Sequence, residues 1–171
     1  LSEPESKDAI LKKLFTDLGS DISSPLYNKL SATQSVRGKL THVPFREAFD
    51  PLIEGITLSK FSYEDKKNLV LNYLNAVESM LNQIEGDSSK LTTSAFFQAI
   101  FKIFEMVCGN SITYFGNYKQ SSFESVLSGL LTIDFTKFEG SNQQNINALA
   151  TEMDTLINMN NFKLTTPSDL F

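Results

Sequence analysis

The sequence predicts an all-α fold, an orthogonal bundle of about six helices with one short strand within 31–42. Three observations carry the prediction. Apolar residues recur at helical spacing in stretch after stretch. Glycine (8) and proline (5) are scarce in a chain of 171 residues, which suits helices and disfavours the many tight turns of a sandwich or barrel. The breaks between apolar stretches run to about 5 to 12 residues, the length that joins neighbouring helices directly.

The elements follow in order. Ser2 and Glu5 have capping-box spacing, and Ile10, Leu11, Leu14, Phe15 and Leu18 then recur with a period near 3.6 until Gly19. Residues 20–25 are turn-like, and Leu26 to Leu30 suit a short helical turn. Residues 31–42 mix β-branched and polar side chains without a helical stripe, so they read as loop with one short strand. Pro44 suits a first helical turn, followed by Phe45, Ala48, Phe49, Leu52 and Ile53, and Pro51 predicts a kink or break past Phe49.

Ser62, with Asp65 three residues on, opens the longest helix, whose apolar face runs from Leu69 to Ile84 before Gly86. Thr92 or Thr93 caps a phenylalanine-rich helix expected to end near Cys108–Gly109. Residues 109–120, punctuated by glycine and asparagine, read as a loop. Ser121 or Ser122 caps a helix carrying Phe123, Val126, Leu127, Leu130 and Leu131. A last helix spans roughly Asn142 to Asn158.

Length and composition, 171 residues of which 41% are hydrophobic, fit one helical domain over 1–158 with a frayed tail over 159–171. The formal charge of −5 makes the body as a whole repel phosphate, so nucleic-acid contact requires a local basic patch. A single cysteine forms no internal disulfide and points to a reducing, cytoplasmic setting. Charges throughout the first twenty residues exclude a secretory signal there. The greasiest stretch, Ala95 to Val107, is too short for a bilayer and carries Gln98, Lys102 and Glu105 as a wet stripe. A chain beginning at Leu1 reads as a domain of a longer protein.

Few residues suggest chemistry, and no catalytic set, metal-ligand spacing or cofactor motif emerges. Arg37, Lys39, His42 and Arg46 lie within ten residues that contain no acid, a spacing that can track a phosphate backbone or simply solvate a loop. Histidine is a residue type that serves as base or ligand, but His42 has no nucleophile or orienting partner nearby in sequence. Cys108 ends an apolar run, where cysteine behaves as a small hydrophobe. Asn68, Asn72, Asn75 and Asn82 share a helical face that reads as wet. Phe96, Phe97, Phe101 and Phe104 read as core. Asp134, Glu139, Glu152 and Asp154 form no metal or hydrolase pattern. Tyr114, Phe115 and Tyr118 fall on the 109–120 loop and are candidates for binding a partner.

The order of segments resembles a known family. SPLYNKL (24–30), SVRGKL (35–40) and FREAFDPLIEG (45–55) look like the C-terminal part of DGQHR-domain proteins. LSKFSYEDKKNLVLNYLNAVESML (58–81), KLTTSAFFQAIFKIF (90–104), FESVLSGLLTIDFTKFEGSN (123–142) and a final amphipathic helix continue the resemblance. It covers about 5 to 158 and rests on residue types and their order. The motif that names the family is expected upstream of Leu1, in a ParB-like half.

The resemblance implies a bacterial, DNA-associated role in modification, phage defence or regulation. It assigns no functional residue here. This segment is then expected to be non-catalytic, and to support the N-terminal half, to mediate self-association, or to add a weak nucleic-acid surface through Arg37, Lys39 and Arg46. The alternative is an adaptor whose helical groove takes a partner segment beside Tyr114, Phe115 and Tyr118.

Overall fold

A computed structural model describes residues 5–160, 162 and 169–171, and in these the chain is an all-α bundle of seven helices with a minute two-stranded sheet. Helix α1 (Lys7–Ser20) starts at Ser6, whose hydroxyl accepts the Ala9 N–H at 3.2 Å. The expected cap therefore moves inward; Ser2 lies outside the described residues. Leu11, Leu14 and Leu18 form the buried stripe of α1.

After a turn, β1 (Leu30–Ser31) pairs in parallel with β2 (Leu40–Thr41), so the single expected strand becomes two of two residues each. Helix α2 (His42–Ile53) runs through Pro51 without ending there. Proline removes one N–H, whose acceptor would be the Glu47 carbonyl. Glu47 and Pro51 are both exposed, so the freed carbonyl lies on the solvent side of the helix, where losing that bond costs least.

Helix α3 (Tyr63–Glu85) matches its sequence signals. Ser62 accepts the Asp65 N–H at 3.2 Å, and Gly86 closes the helix at φ 81°, a conformation glycine adopts without steric cost. Helix α4 (Ser94–Lys102) is shorter than expected, and α5 (Phe104–Phe115) starts anew after Ile103. The expected 109–120 loop is thus mostly helix, and Gly116 rather than Gly109 ends it. Two side chains explain the extension. Ser111 is buried with its hydroxyl donating to the Asn117 carbonyl at 2.7 Å, and Ile112 packs on the core. Gln98, expected on a wet stripe, is buried and donates to Ser94 Oγ at 3.0 Å.

Helix α6 (Gln120–Leu127) is introduced by Asn117 instead of a serine cap. Asn117 Oδ1 accepts the Lys119 N–H at 3.0 Å and the hydroxyl of buried Ser122 at 2.6 Å. Helix α7 (Gln143–Asn158) is capped by Asn142, as its sequence indicates.

Helix α2 packs on α1 and α4, α4 on α7, and α3 and α5 on α6. One chain of rings threads these layers. Phe15 meets Phe45 (5.1 Å), Phe45 meets Phe49 (4.7 Å), Phe49 meets Phe101 (4.4 Å), and Phe101 meets Tyr73 (5.4 Å). Tyr73 reaches Phe123 (5.4 Å), which reaches Tyr118 (6.4 Å). Offset and edge-on pairs of this kind add about 0.5–1.5 kcal/mol each beyond their buried area. Tyr73 is fully buried, and its hydroxyl donates to the Ile100 carbonyl at 2.5 Å, in the last turn of α4 where a helix runs out of its own donors.

Two stability predictions follow from these contacts. Tyr73→Phe leaves the Ile100 carbonyl without its donor in a dry interior and should cost about 1–3 kcal/mol, read from the urea midpoint. Gly129→Ala and Gly109→Ala should differ in sign in the same measurement. A Cβ at Gly129 would fall 2.6 Å from the Leu156 carbonyl oxygen, whereas one at Gly109, inside α5, meets nothing within 4 Å. The first should destabilise by about 1–3 kcal/mol. The second should stabilise by about 0.5–1 kcal/mol through lower unfolded-state entropy and better helix propensity.

Candidate nucleic-acid interface

Basic residues gather where the two short strands lead into α2. The register pairs Leu30 with Leu40 and Ser31 with Thr41, and the Leu40 N–H donates to the Lys29 carbonyl at 2.8 Å. Continuing that register by one residue sets Lys29 opposite Lys39. Leu40 is buried, so the far end of the loop is nailed to the core. The loop itself, 32–39, is exposed throughout, and Gly38 turns it at φ 82°. Arg37 and Lys39 stand on it with no ion-pair partner among the described residues.

The helix that follows adds to the positive field. Thr41 flanks α2 without a side-chain cap, and the first turn of α2 has no acid. The unneutralised N–H groups of a helix start carry about half a positive charge. His42, the first residue of α2, is exposed beside them. A wider signal in the sequence is the acid-free run: no Asp or Glu lies between Asp21 and Glu47, in a chain of net charge −5. Lys29 belongs to that run and is legible only once the run is traced to both ends.

Arg46 is placed differently from Arg37 and Lys39. Its guanidinium binds Asp8 on α1 at 2.5 Å, and Lys12 lies 3.2 Å from the same carboxylate. Hydrogen bonds from Arg46 and then Lys12 hold the Asp8 carboxyl below the ordinary carboxylate range. Arg46 thus locks α2 to α1, and its charge is partly spent.

The remaining candidates lie elsewhere. Cys108 is buried, and burial followed by the nearby Glu105 carboxylate pushes its thiol well up, so the sulfur is held protonated and unreactive as a nucleophile. It is remote in sequence from His42, and the two share no described contact. Tyr118 is buried; Tyr114 and Phe115 are half-buried, with Phe162 against them at 5.3 and 6.1 Å. Asn72, on the expected wet face, donates to the Tyr118 carbonyl at 3.0 Å.

Asp134 Oδ1 accepts the Thr136 N–H and hydroxyl, and Asp21 and Asp87 do the same for Ser23 and Ser89, so these carboxylates serve turns. No group of His, Cys, Asp or Glu suited to a metal ion occurs among the described residues. No helix among them is long and apolar enough to cross a membrane.

Compared with models of protein families, with characterised proteins and with solved structures, the chain matches none.

The Asp8 lock makes a pH prediction with a definite sign. A carboxyl held below its unfolded value, about 3.9, contributes stability that is present above that pH and is lost as pH falls through its folded value. Titration of the Asp8 carboxyl carbon by NMR should give a midpoint below the ordinary range. In Arg46→Ala the midpoint should move back up toward about 3.9.

Proposed function

We propose that this chain is a non-catalytic helical domain of a DGQHR-like, DNA-associated bacterial protein of modification, defence or regulation, working in the cytoplasm. In this reading the bundle supports the rest of its parent, or a second copy, and gives DNA a weak basic contact through Arg37 and Lys39. The observation that carries the DNA contact is the placement of those two exposed cations on a loop anchored between β1 and the uncapped start of α2. Phosphate oxygens are the groups that such a site suits: cations on an adaptable segment beside a helix start without a side-chain cap. Lys29 extends the surface, and Arg46 contributes less because Asp8 already neutralises it.

The segment order that resembles the DGQHR family supports the wider assignment, and the ring-filled interior suits a scaffold. The adaptor reading has less behind it. Of its three aromatics Tyr118 is buried, and Tyr114 and Phe115 already meet the chain's own Phe162.

The test is binding to a fluorescent duplex at two salt concentrations. For two to three phosphate contacts, affinity should fall by about 10- to 40-fold between about 50 and 200 mM monovalent salt. Arg37→Ala with Lys39→Ala should remove most of the binding, and Arg46→Ala should reduce it less. Binding undetectable at the lower salt, or indifferent to the double substitution, defeats the proposal.

A further inference from the structure

The last described residues make a contact out of proportion to their length. The Leu170 carbonyl accepts the Tyr118 backbone N–H at 2.5 Å. The Phe171 ring sits edge-on to Phe61 (5.4 Å) and stacks on Tyr118 (6.2 Å). Tyr118 is only 2% exposed, although it lies just beyond the end of α5. From the other side Asn72 holds its carbonyl and Phe123 packs on its ring. A residue between two helices is thus held from behind by the bundle and from in front by a dipeptide.

Behind Tyr118 the interior turns polar. Buried Thr57 donates to Glu105 Oε2 at 2.6 Å. Glu105 Oε1 is out of solvent and has no hydrogen-bond partner among the described residues. Gly55 closes over that oxygen, so near that a Cβ there would lie 2.7 Å from it. Cys108 is fully buried and feels Glu105, Lys60 and Thr57. The Lys60 ammonium lies over the Phe61 and Tyr118 rings, at 5.4 and 6.0 Å. A buried carboxylate oxygen without a donor favours any opening that brings water to it. Among the described residues, the cover on the Tyr118 side is one hydrogen bond and two ring contacts, and Leu170 itself is 40% exposed. Contacts so few open locally, well before the whole domain unfolds.

We infer that Leu170–Phe171 is a releasable strap: docked, it pins Tyr118 and covers the buried polar cluster of Thr57, Glu105 and Cys108; released, it opens that cluster to solvent while the bundle stays folded. The strap is independent of the basic loop and of the DNA reading. The occupant of the aromatic slot in the closed state is the chain's own aliphatic–aromatic pair.

Cys108 is the one cysteine of the chain and reports on the cluster directly. The test is its alkylation by iodoacetamide at fixed pH, followed by intact mass. Phe171→Ala and a chain ending at residue 162 should each react about tenfold faster than the parent, with unchanged helical circular dichroism. A synthetic peptide of residues 162–171 should slow the shortened chain again. Leu14→Ala, which weakens the buried stripe of α1, is the comparison for general destabilisation, and the peptide should not protect it. Equal rates in the parent, Phe171→Ala and the shortened chain overturn the strap. So does acceleration that the peptide fails to reverse and that follows the loss of melting temperature as in Leu14→Ala.

Discussion

The hydroxyl of Tyr73, donated to the Ile100 carbonyl inside a dry stack of rings, is the interaction on which the rest of the bundle depends. It lets α4 stop at Lys102 and α5 begin at Phe104 in a new direction, because the end of α4 obtains a donor from another helix. The same ring contacts Phe101, Phe104 and Phe123, so one side chain of α3 gathers α4, α5 and α6. A leucine at that place would fill much of the space but supply no donor.

Around this apolar centre, polar side chains act as fasteners. Asp21, Asp87 and Asp134 each take the N–H and the hydroxyl of the residue two positions on, which tightens three turns by one device. Asn117 uses its carbonyl and side-chain oxygen to tie Ser111, Lys119 and Ser122 into the joint between α5 and α6. Asp8 spends Arg46 and Lys12 on holding α1 to α2. Among the described residues, charged groups without such a fastener remain on the exposed 32–39 loop, where Arg37 and Lys39 have no ion pair, and behind Tyr118, where one Glu105 oxygen has no hydrogen-bond partner.

Much of the bundle was legible in the residues. The Ser62–Asp65 start, the Gly86 stop, the Asn142 start and the apolar stripes of α1, α3 and α7 are local signals, and each was read from neighbours within a turn or two. The candidate interface was half legible. Arg37 and Lys39 stood out in an acid-free run, but nothing near Arg46 in sequence announces Asp8, thirty-eight residues away. The aromatics at 114, 115 and 118 read as loop residues because glycine and asparagine punctuate that stretch. Buried Ser111 and half-buried Ile112 outweighed those signals.

By itself, the sequence determined the helical class, most helix starts, the phenylalanine core and the net acidity interrupted by one basic stretch. These rest on periodicity and on contacts that span a few residues. Only the tertiary structure decided that the phenylalanine-rich run breaks at Ile103, that α2 survives Pro51, that Arg46 is spent on α1 and that Phe171 closes on Tyr118. The survival of α2 rests on which side of the helix faces solvent and the other three on a partner far along the chain, and spacing along a sequence carries no record of which distant groups will meet.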